Sequence, residues 1–292
     1  MIEIEKFDRD FFCDKDKDKL FKELSRLKKE NCVFRGISKK EQFLPSLMRK
    51  ELQKVEIELL EQLEMKGQFL HNNSNYMDFL TSAQHYGLPT RLLDFSYNPY
   101  VALFFALYKE NAEEEFYNII YCSLTENIVF KNLPKIIRIN NSNANSFSSD
   151  LRDAYSAINE IGDSDSSLRN YLYSAVYNLT YKGENLESDE NINKIKKEDL
   201  RNKLIFLRAK NANLRIAMQE GLFLFSNTTN EKEYLKILQK NTKLLCIHKN
   251  LRKDLLDELK IMGITEEKIM PDLQSLCFAI IEQFTKKLSV KK

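Results

Sequence analysis

The chain has 292 residues, 43% of them hydrophobic and 30% charged, which is typical of a globular protein with one large domain or two small ones. Lys and Arg number 45 against 43 Asp and Glu, and the net charge of +2 disfavours a surface built mainly to bind nucleic acid, although a confined basic patch is compatible with it. No apolar run approaches the ~20 residues of a membrane span and no signal peptide is recognisable, so we expect a cytoplasmic protein that does not bind membranes.

The first predicted elements are helices around one strand. Leucines at helical spacing predict a helix over 14–30, and "CVFRGI" (32–37) has the β-branched and aromatic residues of a strand. Residues 41–70 are predicted as one long helix or two joined helices, and 75–86 as another helix.

The stretch "SAQHYGLPTRLLDFSYNPYVALFFAL" (82–107) joins two helix ends. Gly87 can take the left-handed conformation that ends a helix, and Pro89 prevents its continuation. Asn98 can cap the next helix, with Pro99 at its first position. The intervening "TRLLD" is therefore predicted to be a connector.

Five polar side chains come from these helix ends and the connector: Gln84, His85, Thr90, Arg91 and Asp94. One turn can bring them into a small volume, which predicts the wall of a polar pocket. Structural roles are an alternative for each of them. Asp94 could cap a helix, Thr90 could satisfy the turn backbone, and Arg91 could pair with Asp94.

The rest of the chain alternates strands and helices. Strands are predicted at 116–124, 135–139 and 243–248, and helices at 151–181, 231–240 and 249–261 and from Pro271 onward. A polar loop is predicted at 140–150 and an exposed polar insertion at 182–199. Residues 215–226 are predicted to pass from a helical or irregular segment into a strand. This pattern predicts the α+β class, as a single compact domain with a small central mixed or antiparallel sheet surrounded by many helices.

Five scattered cysteines are predicted to be buried thiols in a reducing cytoplasm: Cys13, Cys32, Cys122, Cys246 and Cys277. No CxxC or HxxxH pair occurs, so no metal cofactor is expected.

Arg35 lies in a strand among apolar neighbours, where its guanidinium needs a partner. That partner is either Asp94, which would make the arginine structural, or a phosphate of a ligand. Further along, Arg215, Gln219 and Glu220 precede an aromatic strand, and Gly221 permits a bend there.

Three motifs together resemble the FRG domain family: "FRGISKKEQFLPSLMRK", "AQHYGLPTRLLDFSYNPYVALFFA" and "RIAMQEGLF". The C-terminal "KDLLDELKIMGITEEKIMPDLQSLC" also looks like a family element. Phe95 departs from the pattern, which commonly has tryptophan there. The resemblance divides the chain into a helical lead-in (1–30), an FRG domain (31–278) and a C-terminal helix end with a basic tail (279–292).

The resemblance implies a prokaryotic, cytoplasmic protein, and some members of the family occur in defence or toxin-like contexts. The motifs are also similar to NAD sites of the ADP-ribosyltransferase type, which makes NAD a hypothetical substrate for ADP-ribosyl transfer or NAD hydrolysis. The candidate catalytic residues are Arg35, His85 and Glu220. The candidate ligand-binding residues are Gln84, Tyr86, Thr90, Arg91, Asp94, Arg215 and Gln219. In this interpretation Arg35 holds the diphosphate, Tyr86 stacks on the ligand and His85 contacts the ribose.

Two other classes of function stay open. The first is a non-catalytic module that recognises nucleic acid or a protein partner through basic residues beside aromatic ones. The second is hydrolysis with His85 as general base and Asp94 as the residue that orients it, although the sequence offers no convincing nucleophile. The sequence leaves the oligomeric state undetermined.

Overall fold

The computed structural model describes residues 2–67, 76–111, 113–130, 203–207, 214–226, 228 and 230–271. The strand predicted at 135–139, the polar loop, the helix at 151–181, the polar insertion and the helix from Pro271 lie outside these residues.

One eight-stranded mixed sheet runs through the described part of the chain. Its strands are β1 (Asp8–Phe12), β2 (Cys32–Ile37), β3 (Leu92–Ser96), β4 (Phe116–Ser123), β5 (Ile128–Phe130), β6 (Ile205–Leu207), β7 (Gly221–Phe225) and β8 (Lys243–His248). Their order is β1-β8-β4-β2-β3-β7-β6-β5. The outer pairs β1–β8 and β5–β6 are parallel, and the strands between them are antiparallel.

Helices accompany the sheet along the chain. They are α1 (Lys17–Lys29), α2 (Ser46–Arg49), α3 (Glu56–Gly67), α4 (Tyr76–His85), α5 (Pro99–Leu107), α6 (Leu214–Met218), α7 (Glu231–Asn241), α8 (Arg252–Ile261) and α9 (Glu266–Ile269). Short 3-10 helices span Ile4–Lys6, Lys40–Phe43, Gln53–Val55, Leu124–Glu126 and Lys249–Leu251. In the described stretches, none of the helices combines the length and the apolar character needed to cross a membrane.

The central strands contribute alternate side chains to two cores, one on each face of the sheet. In β2, Phe34 packs with residues of α1, α5 and α8, whereas Val33 and Ile37 pack with residues of 43–48 and α7. Since both faces are covered, the inner strands are apolar on both sides. The predicted α+β class and mixed sheet are confirmed, and the sheet is wider than the small one expected.

Helix α5 begins as its sequence predicts. The Asn98 side-chain oxygen accepts a hydrogen bond from the backbone N–H of Tyr100 at 3.1 Å, and Pro99 occupies the first helical position. Strands β2, β4 and β8 also lie where the sequence predicts them.

Two predictions about local structure were wrong. The "TRLLD" segment is more than a connector, because it enters the central strand β3. The helical lead-in at 1–30 also contains β1, which extends the sheet edge beside β8. Of the two alternatives for 41–70, the described residues up to 67 form two helices, α2 and α3, each after a 3-10 turn, and Glu51 between them has a positive φ of 56°.

The cysteines of the described residues divide into one exposed and three buried thiols. Burial raises the pKa of Cys32 and Cys246 to about 11 each, and it also raises the pKa of Cys122. Cys13 is exposed, which corrects the prediction for that residue.

We therefore expect a brief pulse of iodoacetamide at about pH 8 to alkylate Cys13 first, because buried thiols are both protonated and shielded. Cys32, Cys122 and Cys246 should react only after unfolding. Peptide mass spectrometry with and without denaturant measures this, and rapid labelling of Cys122 in the native protein would contradict it.

Candidate ligand-binding site

A cavity of about 280 Å³ opens where β2 and β3 separate. The two described strands are paired at Phe34 and Ser96, and beyond that position the cavity wall begins. The end of α4, α5 and α6 complete its sides. The lining residues are Phe34, Arg35, Gly36, Gln42, Thr81, Gln84, His85, Asp94, Phe95, Ser96, Val101, Ala102, Phe105, Arg215, Ile216, Gln219 and Phe223.

The tripeptide Phe34-Arg35-Gly36 combines three roles. Phe34 is fully buried and stacks on Tyr121, with ring centroids 6.3 Å apart. Gly36 lies directly beneath α5, where a Cβ atom would be 2.0 Å from the backbone oxygen of Ala102. Arg35, between them, is the one whose polar group reaches the cavity.

The Arg35 guanidinium bridges the gap between β2 and β3. Its Nη1 donates to the backbone oxygen of Asp94 at 2.8 Å and lies 3.7 Å from the Asp94 carboxylate, and its Nε donates to the backbone oxygen of Gln42 at 3.3 Å. Burial lowers the pKa of Arg35, and the Asp94 carboxylate opposes that shift. The Arg35–Asp94 pair offered as the structural alternative therefore exists. It leaves Nη2 of the guanidinium without a hydrogen-bond partner among the described residues.

Asp94 is held by a chain of side-chain hydrogen bonds. Gln84 Nε2 donates to Asp94 Oδ1 at 2.8 Å, and Thr90 Oγ1 donates to Gln84 Oε1 at 2.6 Å. Thr90 is buried and fixed in turn, because its backbone N–H donates to Ser46 Oγ at 3.0 Å. Gln84 therefore orients the Asp94 carboxylate, and the side chain is still 56% exposed to solvent.

Two further cationic or titratable side chains also line the cavity. Arg215 projects from α6 and His85 from the end of α4. Neither makes a hydrogen bond or ion pair with another residue that the structure describes. Gln219, one turn after Arg215, donates its Nε2 to the backbone oxygen of Ile269 at 3.0 Å. Arg215 is thus a cation in the cavity wall without a protein counter-ion among the described residues.

Arg91 does not line the cavity, which corrects its assignment as a ligand-binding residue. Its side chain is 1% exposed and forms a bidentate ion pair with Glu56. Nε donates a hydrogen bond to Oε1 at 2.8 Å, and Nη2 donates one to Oε2. The predicted Arg91–Asp94 pair is also wrong, because Glu56 binds Arg91 and Gln84 binds Asp94. Arg91 therefore fastens β3 to α3.

Glu220 and Tyr86 also lie outside the cavity lining. Glu220 ends α6 with a positive φ of 47°, and its carboxylate accepts a hydrogen bond from Asn98 Nδ2 at 2.8 Å. Tyr86 is 82% exposed and contacts His85 edge to face. Thr90 is buried and acts through Gln84. Of the candidate catalytic residues, Arg35 and His85 reach the cavity.

The hydrolytic arrangement is not formed. His85 makes no hydrogen bond to Asp94 in the described structure, and Asp94 is oriented by Gln84. The sequence did not single out the apolar side of the cavity, where Phe105 and Phe223 lie. The sequence around each of these two residues is typical of a hydrophobic core. Their place in the cavity lining becomes visible only when α5 and β7 are packed in the fold.

Comparison with known proteins agrees with the motif resemblance. Residues 30–115 match the family model of the FRG domain, so this part of the chain is an FRG domain. The match includes Arg35, Gln84, His85 and Asp94, and Arg215 lies beyond it. No curated protein and no solved structure matches the chain. The extension of the domain to residue 278 stays a prediction.

Proposed function

We propose that the FRG domain of this chain binds a nucleotide-like ligand in the cavity between β2 and β3, with a phosphate against Arg215. The observation that carries the proposal is that the Arg215 guanidinium lines the cavity without a counter-ion among the described residues. A cation in a partly enclosed site is costly unless an anion joins it. Nη2 of Arg35 offers the same anion a second donor.

The rest of the cavity supports an anion joined to a flat apolar group. Asp94 balances Arg35, so among the described lining residues the surplus charge is that of Arg215. Phe105 and Phe223 add aromatic surface. The volume of about 280 Å³ lies just below the ~300–1,000 Å³ of small-molecule sites, which suits a mononucleotide or one half of a dinucleotide.

NAD is the substrate that we propose for this site, with NAD hydrolysis or ADP-ribosyl transfer as the reaction. The bond from C1′ to the nicotinamide nitrogen breaks and its electron pair leaves with nicotinamide, while water or an acceptor nucleophile adds to C1′ and loses a proton. The carboxylate available to stabilise the developing positive charge is Asp94, which replaces Glu220 in that role. A cytoplasmic, prokaryotic defence or toxin-like setting accords with such an activity.

The first experiment is a thermal shift of the purified chain with NAD, ADP-ribose, ATP, GTP and short RNA and DNA. A ligand at 100 times its dissociation constant adds roughly 2.7 kcal/mol, a shift of several degrees. Shifts with NAD and ADP-ribose lead to an assay of nicotinamide release. Shifts with oligonucleotides alone would replace the proposal by the non-catalytic recognition module.

Replacing Arg215 by methionine should weaken binding of ADP-ribose about 10- to 100-fold, since a charge-assisted hydrogen bond contributes roughly 1.5–3 kcal/mol. Stability should change by no more than about 0.5 kcal/mol, because no ion pair with a described residue is broken. Lys253→Met, which removes a positive charge on the exposed side of α8, is the matched control. Isothermal titration calorimetry measures both, and equal affinities would contradict the role of Arg215.

A further inference from the structure

We infer that Asp94 binds the ribose hydroxyls of the ligand, so that the site selects nucleotides with a free 2′,3′-diol over deoxynucleotides. The inference rests on the proposed function, because it takes the phosphate to lie against Arg215. It adds the recognition of the sugar, whose hydroxyl groups can donate to a carboxylate.

The first step is the fixed orientation of the carboxylate. Gln84 Nε2 donates to Oδ1 at 2.8 Å, and Gln84 is itself held by the buried Thr90 hydroxyl at 2.6 Å. Behind Thr90, Ser46 Oγ accepts from the Thr90 backbone N–H at 3.0 Å. A carboxylate locked by such a chain loses little side-chain entropy when a ligand arrives.

The second step is the capacity of Asp94 to accept more hydrogen bonds. A carboxylate has about four acceptor positions on its two oxygens. The described residues supply one hydrogen bond, from Gln84, and a guanidinium nitrogen of Arg35 at 3.7 Å. The side chain is 56% exposed, and the described residues leave its remaining acceptor positions open.

The third step decides which donors fit. Arg35 already balances the charge of Asp94, so neutral hydroxyl donors suffice and a second cation is not required. Two adjacent hydroxyls match two carboxylate oxygens, which is how acidic side chains hold ribose in dinucleotide sites. Arg215, which has no counter-ion among the described residues, takes the anion in the same cavity. Together the two groups fit a ligand with a diol and a phosphate, which is the chemistry of a 5′-phosphorylated riboside.

The experiment compares matched nucleotides by calorimetry: AMP against 2′-deoxy-AMP, and UMP against 2′-deoxy-UMP. For the natural chain we expect the ribonucleotide of a pair to bind about tenfold more tightly, equivalent to about 1.4 kcal/mol. In Asp94→Asn this ratio should fall to about one, because the amide has half the acceptor capacity. Binding of the deoxynucleotide should be kept or improved, since a negative charge near the phosphate is removed.

Asp257→Asn is the matched control, because Asp257 is exposed on α8 and should leave the ratio at about ten. Circular dichroism melting of each variant establishes that it is folded. If ribo- and deoxynucleotides bind the natural chain equally, or if Asp94→Asn keeps the preference, the inference about the sugar is overturned while phosphate binding stands. If no nucleotide binds and Arg215→Met changes nothing, the proposed function fails and the inference with it.

Discussion

Gly36→Ala is expected to lower the free energy of unfolding by about 3 kcal/mol or more. The new Cβ would lie 2.0 Å from the backbone oxygen of Ala102 and 2.4 Å from the backbone nitrogen of Ala106. Overpacking of a core costs about 1–3 kcal/mol when side chains can give way, and more when they cannot. Here the atoms that must move belong to the α5 backbone, so the helix has to shift off β2.

The matched control is Gly87→Ala. Gly87 has φ +92°, and no atom lies within 4 Å of the position that its Cβ would take, so the alanine carries the conformational cost of about 1–2 kcal/mol without a collision. Chemical denaturation of both variants separates the two causes. A Gly36→Ala chain as stable as the Gly87→Ala chain would show that the contact with α5 yields easily.

Arg91→Met is expected to lower the free energy of unfolding by about 3–5 kcal/mol, because it leaves the Glu56 carboxylate buried without its partner. The Arg91 and Glu56 side chains are 1% and 4% exposed, and Nη1 of Arg91 also donates to the backbone oxygen of Ser226 at 3.3 Å. The guanidinium further lies 5.5 Å from the ring centre of Phe225. The loss therefore includes packing as well as charge.

A double-mutant cycle makes this prediction sharper. Glu56→Leu alone should also destabilise, because Arg91 is then orphaned, whereas Arg91→Met with Glu56→Leu should recover most of the loss. The half-exposed pair of Lys17 and Glu258, with Nζ and Oε1 2.8 Å apart, is the control, where Lys17→Met should cost less than about 1 kcal/mol. Additive losses in the buried pair would mean that the two charges do not depend on each other.

The sequence predicted those strands whose own residues carry a strong signal. Strand β2 contains the glycine that α5 requires, and β4 and β8 are rich in β-branched and aromatic residues. The edge strand β1 was missed because its charged residues Asp8, Arg9 and Asp10 hide any alternation. Strand β3 was missed because it begins shortly after Pro89 and has Asp94 at its centre, a pattern that is typical of a turn.

The sequence also predicted part of the candidate site, namely the residues that short local motifs bring together. Arg35, Gln84, His85 and Asp94 come from two short motifs whose helix and strand ends meet locally. The role of Arg91 depends on Glu56, 35 positions earlier in the chain, and nothing local distinguishes a buried arginine from one that faces a ligand. Glu220 was misplaced because its positive φ turns the carboxylate towards Asn98, a backbone effect that the residue types around it do not announce.

The order of strands in the sheet also governs how the chain acquires its shape during synthesis. Strand β4 pairs with β8 and β3 pairs with β7, so the segment 30–115 emerges from the ribosome long before the strands that complete its sheet. Pairing across more than 100 residues is slow, and unpaired strand edges are exposed meanwhile. Arg215 arrives on α6 equally late. A nascent chain therefore holds half a cavity, and a polypeptide interrupted in translation carries the family motifs without a complete site.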